Sequence, residues 1–246
     1  MTEALIFVAI TSFLLAGLVK GVTGLGTPIV AVGILAHFTD PRTAISLIIA
    51  PIFLVNIWQM YRQGHFLANL RNYWPLAFAL MLFLGVTVVT TQKVDSEWLL
   101  IVIGVVIAGF SSMNLFYTPP ALPERFDRVA QVITGVVAGC LGGLTGIWGP
   151  PLVAYLLARQ VDKEEFVRAT GLLLFAGGIP LAAGYIYAGQ FTTERALVSL
   201  GMVIPTLIGF ALGEVVRRRL DTGQFRKLIL LFFVIIGLNL VRRAIW

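Results

Sequence analysis

The sequence predicts an all-α polytopic membrane protein, and three features carry that prediction. Of its 246 residues, 58% are hydrophobic and only 12% are charged. The mean hydropathy is +0.92. Long apolar runs, such as Trp98–Tyr117 and Val167–Tyr187, separate compact clusters of charge. A soluble domain has about 25% charged residues and covers its core with polar surface, for which this chain lacks the material. Runs of about 18 or more apolar residues read as helices that cross a bilayer, because a helix satisfies its backbone polar groups without water.

Taken in order, the first element is the apolar stretch from Met1 to Val19. It has no positive leading region and contains Glu3, so it reads as a membrane segment rather than a cleaved signal peptide. A Gly-rich stretch completes the block 4–38, followed by apolar segments at 44–61, 74–91 and 98–116. The stretch Thr118–Arg128, rich in Pro and charge, is a linker. A second Gly-rich block at 129–158 leads to apolar segments at 167–187, 196–213 and 228–241. The net charge of +6 would suggest nucleic acid on a soluble protein. Here Lys and Arg gather in loops, as the orientation of membrane helices requires, and no nucleic-acid partner is expected. Arg217, Arg218 and Arg219 read as an anchor of this kind. Cys140 is the one cysteine, so there is no disulfide framework, and it reads as a small packing residue.

The chain repeats itself. Residues 16–32 read AGLVKGVTGLGTPIVAV and residues 138–154 read AGCLGGLTGIWGPPLVA. At one constant offset they share Ala16/Ala138, Gly17/Gly139, Gly21/Gly143, Thr23/Thr145, Gly24/Gly146 and Pro28/Pro150. Each block runs into a polar turn, Asp40-Pro41-Arg42 or Asp162-Lys163-Glu164, and then a long apolar helix. Further on, Gly64-His65-Phe66 matches Gly189-Gln190-Phe191. Two membrane repeats are expected, at 1–120 and 121–246.

Loop charge orients them. If each Gly-rich block enters the membrane and returns, the repeats are inverted. The loops at 61–73, 117–128, 158–168 and 213–227 then share the cytoplasmic side. They hold Arg62, Arg71, Arg125, Arg128, Arg159, Lys163, Arg168, Arg217, Arg218, Arg219, Arg226 and Lys227, twelve in all. The opposite side holds five, Arg42, Lys93, Arg195, Arg242 and Arg243. Parallel repeats divide the same charges ten against seven, so the inverted arrangement, with both termini outside the cytoplasm, fits the positive-inside rule better.

The Gly-rich blocks are the candidate binding elements. Gly21, Gly24 and Gly26 loosen a helix, Thr27 suits an N-cap and Pro28 suits the first turn of a new helix. The second block repeats this layout with Gly143, Thr145, Gly146, Gly149 as cap and Pro150. After Pro28 only some 11 residues precede the polar turn, about 16 Å of helix and half a bilayer. Each repeat is therefore expected to hold a re-entrant or discontinuous helix pair plus three transmembrane helices. Broken helices at membrane depth expose N–H groups and a positive dipole end, which suit an anion. Thr23 and Thr145 add hydroxyls at matched positions, and Lys20 adds a full positive charge.

Other readings compete. Gly-rich membrane helices also serve close packing, Lys20 could snorkel to a surface, and Trp148 reads as packing rather than a gate. The twelve carboxylates and both histidines, His37 and His65, lie near segment ends or in loops. That argues against a carboxylate proton relay and against a membrane-embedded enzyme, which needs a cluster of catalytic groups at depth. Without a phosphate-binding GxxxxGK[ST] loop, a primary pump would need separate ATPase subunits. A structural subunit of a membrane complex is the other alternative. No cofactor is implied. A proton or sodium ion could couple through backbone carbonyls at the broken helices, and self-association into a homo-oligomer is compatible with the chain. An anion can also leave down the membrane potential, since one charge gains about 2.3 kcal/mol per 100 mV.

The paired blocks KGVTGLGTPIVAVGIL and GLTGIWGPPLVAYLL resemble the TauE/SafE sulfite exporter family, also called the TSUP family. The segments DPRTAISLIIAP and FVRATGLLLFAGG, which follow them, extend the resemblance over nearly the whole chain. It implies a multi-pass transporter in the bacterial cytoplasmic membrane, not an enzyme. The implied substrate is a small anion such as sulfite, an organosulfonate or another organic anion. The expected site lies between the two motifs and comprises Lys20, Gly21, Thr23, Gly24, Gly26, Thr27, Pro28, Gly143, Thr145, Gly146, Gly149 and Pro150.

Overall fold

The computed structural model describes residues 3–24, 26–64, 66–116, 120–219 and 222–245. His65 and Thr118 lie outside the described residues, as do the side chains of Lys163, Arg217, Arg218, Arg219, Arg226 and Lys227. Among the described residues the chain is helical, with no strand. The helices are α1 (Glu3–Thr23), α2 (Thr27–Leu35), α3 (Pro41–Gln63), α4 (Phe66–Thr90), α5 (Ser96–Phe116), α6 (Asp127–Thr145), α7 (Gly149–Ala158), α8 (Lys163–Tyr187), α9 (Thr193–Gly201), α10 (Val203–Arg219) and α11 (Thr222–Ile245). Seven spans among the described residues are long and apolar enough to cross a membrane.

Large apolar side chains cover helix exteriors as well as filling the interior. On α6 the buried residues are Gln131, Gly135, Ala138, Gly139, Gly142, Gly143 and Thr145, while Val129, Val132, Ile133 and Val137 are exposed. On α4, Trp74, Phe78, Leu82 and Val86 form an exposed stripe at a spacing of four residues. Such a face is stable against lipid tails, and the small residues are what the helices use to approach one another. Cys140, expected to pack, is exposed on the same side of α6.

Packing divides the chain into two units. The first contains 1–51, 94–117 and 192–246; the second contains 52–93 and 118–191. Each unit thus draws helices from both sequence halves. In the first, α1 packs along α10, α5 along α11, and α2 against α1. In the second, α4 packs along α6 and α8, and α7 lies against α6. So α1, the first helix of the chain, lies against α10 of the second half, and α6, the first long helix of the second half, lies against α4 of the first.

The close approaches are made by the matched glycines. A methyl group on Gly17 would run into the Thr206 carbonyl, and one on Gly21 into the Phe210 carbonyl. One on Gly139 would lie 2.8 Å from the Leu80 carbonyl, and one on Gly143 2.8 Å from the Leu84 carbonyl. The helix partners correspond as the glycines do, Thr206 to Leu80 and Phe210 to Leu84. Backbone-to-backbone contact of this kind maximises dispersion where no hydrophobic effect drives helices together.

Proline breaks are repaired locally. Pro51 has no N–H to give the Leu47 carbonyl. The Ser199 hydroxyl of α9 donates to that carbonyl at 2.8 Å and accepts from the Ala50 N–H at 3.0 Å. The segment expected at 196–213 is divided into α9 and α10 at Met202, because Pro205 cannot donate to the Gly201 carbonyl.

Candidate functional site

In the first unit, α1 ends in a left-handed glycine. Gly24 has φ 81, and its N–H closes the last turn on the Lys20 carbonyl at 2.7 Å. A side chain there would be strained. Gly26, at φ 116, is the residue that turns the chain into α2. It is also the N-cap of α2, and Thr27 is already helical. The cap was expected at Thr27; the left-handed backbone, which a β-branched residue avoids, moves it back one position. The first intrahelical bond runs from the Val30 N–H to the Gly26 carbonyl at 2.9 Å. Only 2.9 Å would separate a methyl group on Gly26 from Val19 Cγ1, so this junction lies against the last turn of α1.

Lys20 occupies that last turn and is 1% exposed. It is therefore held inside the unit and does not snorkel to a surface. Thr27 is 3% exposed, and its hydroxyl has no hydrogen-bond partner among the described residues. Gly21, Gly24, Gly26 and Pro28 are buried as well. The Thr23 hydroxyl donates to the Val19 carbonyl at 2.8 Å, within its own helix.

The second unit has a matching junction. Gly146, at φ 71, ends α6 with its N–H on the Gly142 carbonyl at 2.8 Å. Gly24 and Gly146 thus share both sequence register and backbone conformation. Beyond them the junctions diverge. Where the first has Gly26, the second has Trp148, which is fully buried and is the N-cap of α7, so Gly149 is helical rather than the expected cap. The indole fills the space between Gly142 and Gly177 and donates from Nε1 to the Leu173 carbonyl at 3.3 Å. The Thr145 hydroxyl donates to the Leu141 carbonyl at 2.7 Å and accepts from the Ile147 N–H at 3.1 Å. Gly143 and Pro150 are buried beside it.

The helices that follow each junction are half-length, 9 residues in α2 and 10 in α7. The helices before them are longer than a two-armed re-entrant hairpin needs. At 21 residues, α1 can cross on its own. Each pair is a full-length helix joined to a half-length one.

One polar cluster escaped the sequence. In the second unit Asp127 accepts from the Tyr155 hydroxyl at 2.7 Å and from Gln131 Nε2 at 2.9 Å, and it pairs with Arg159 at 3.0 Å. The Tyr73 hydroxyl donates to Glu165 close by, with the Tyr73 and Tyr155 rings edge to face at 6.4 Å. These residues come from four helices, and no local spacing marks them as partners.

Apolar helix exteriors and seven helical spans define a polytopic membrane protein. The chain matches the family described as sulfite exporter TauE/SafE over residues 9–240 and belongs to that family. No curated protein and no solved structure matches it.

Proposed function

We propose that this transporter moves a small sulfur-containing or organic anion, sulfite or an organosulfonate above all, across the bacterial cytoplasmic membrane. The observation that carries the reading is Lys20, a cation buried at the end of α1 beside the broken start of α2. A basic side chain within a membrane-embedded segment marks a substrate or ion path by default, and its positive charge suits an anionic substrate. On this reading Lys20, Gly21, Thr23, Gly24, Gly26, Thr27 and Pro28 belong to the substrate site in the first unit, and Gly143, Thr145, Gly146, Gly149 and Pro150 are their sequence-matched counterparts in the second. The matched backbone of Gly24 and Gly146 supports a common origin of the two segments.

Purified protein in liposomes tests this with sulfite, sulfate, thiosulfate and an organosulfonate. Flux of at least one sulfur anion above that of empty liposomes is expected. Repeating the measurement under imposed proton or sodium gradients identifies the coupling ion. Liposomes that carry the folded protein and pass none of these anions would sink the proposal.

A further inference from the structure

The two junctions match in sequence but not in how their side chains are packed and satisfied. In the second, Trp148 occupies the space, and the Thr145 hydroxyl both donates and accepts within its own turn. In the first, the position equivalent to Trp148 is Gly26, which carries no side chain. Next to it stands Thr27, buried and without a partner for its hydroxyl among the described residues. A buried hydroxyl left unmade costs about 1–3 kcal/mol, and in a native structure it calls for a reason.

The other unpartnered buried oxygens are different in kind. Those of Gln59 and Gln131 are carbonyl acceptors, which repel an anion, and the Ser111 hydroxyl lies in the interior of α5. Thr27 alone among them is a hydroxyl at the first residue of a helix. There the N–H groups of Thr27 and Ile29 have no acceptor within the helix, Pro28 has no N–H, and the dipole end is positive. By contrast the Thr23 hydroxyl already gives its proton to the Val19 carbonyl.

We propose that anion recognition is asymmetric. The Thr27 hydroxyl, at the N-terminus of α2, donates a hydrogen bond to an oxygen of the bound oxyanion, while the Trp148 junction is a filled structural counterpart without that role. This rests on the transporter reading above and names the residue that would set its preference for oxyanions.

The test measures sulfite flux in liposomes for the full chain and for three variants. Thr27→Val keeps the side-chain shape and removes the donor. Its half-saturating sulfite concentration should rise about tenfold or more, as loss of a hydrogen bond to a charged ligand does. Thr27→Ser restores the donor and should return the value to within about threefold of the starting protein. Ser111→Ala, which removes another orphaned hydroxyl away from the junction, should leave it unchanged. If Thr27→Val saturates at the same sulfite concentration as the starting protein, the assignment is overturned alone. Failure of Thr27→Ser to recover identifies packing rather than donation and also overturns it. A starting protein that moves no sulfur anion overturns the transporter reading and the assignment together.

Discussion

At the scale of single residues, Lys20 is the strongest candidate for a direct electrostatic role. Its ammonium is buried in the last turn of α1, and the chain turns back into α2 within a few residues. Lys20→Met keeps the length and apolar stem and removes the charge. Half-saturation for the transported anion should rise at least tenfold, about 1.4 kcal/mol or more, with the protein still inserted and monodisperse in detergent. Unchanged saturation would take Lys20 out of the substrate path. The residue was legible in the sequence because a cation inside an apolar stretch is conspicuous. Its burial was not, since snorkelling and burial leave the same sequence signature. The caps shifted by one position for a local reason, as the left-handed backbone at Gly26 can be read only from φ. The orphaned Thr27 hydroxyl was equally invisible, because orphanhood depends on what else is near.

At the scale of elements, the glycines have two separable duties. Gly24, Gly26 and Gly146 bend the chain, whereas Gly17 and Gly139 let helix backbones touch. Gly17→Val and Gly139→Val should each destabilise the protein by about 1–3 kcal/mol, because the intruding atoms are backbone and cannot swing aside. Thermal unfolding in detergent reads this directly. Gly109→Ala is the control, since nothing lies within 4 Å of an added methyl group. An unfolding temperature for Gly17→Val as high as the control's would show that α1 does not approach α10 closely. The helical segments themselves were legible from length and apolarity. Their partners were not: Pro51 shows in the sequence, but nothing near it points to Ser199 as the group that satisfies the Leu47 carbonyl.

At the scale of the whole molecule, the distribution of Lys and Arg sets an orientation. The loops that lead into α4, α6 and α8, whose N-terminal turns carry Arg71, Arg128 and Lys163, should face the cytoplasm, and both termini should lie outside it, because twelve of the Lys and Arg charges then fall on the retained side. Reporter fusions at those three loops measure this. Finding Arg71 and Lys163 on opposite sides would eliminate the inverted arrangement of repeats. The sequence correspondence between the halves is legible from matched Gly, Thr and Pro positions. The composition of the packed units is not, because sequence similarity marks where a segment came from and is silent about which helix it will lie against.

That exchange of partners has a consequence for biosynthesis. The ribosome completes Gly17 long before Thr206, the residue whose carbonyl it meets, exists. At translation rates of about 5–20 residues per second the interval is roughly 10–40 s. Throughout it the small-residue face of α1 has no native surface to rest on and must be covered by lipid or by the insertion machinery. The last stages of synthesis therefore do more than append helices: the arrival of α10 is the event that lets the first helix of the nascent chain find its final place.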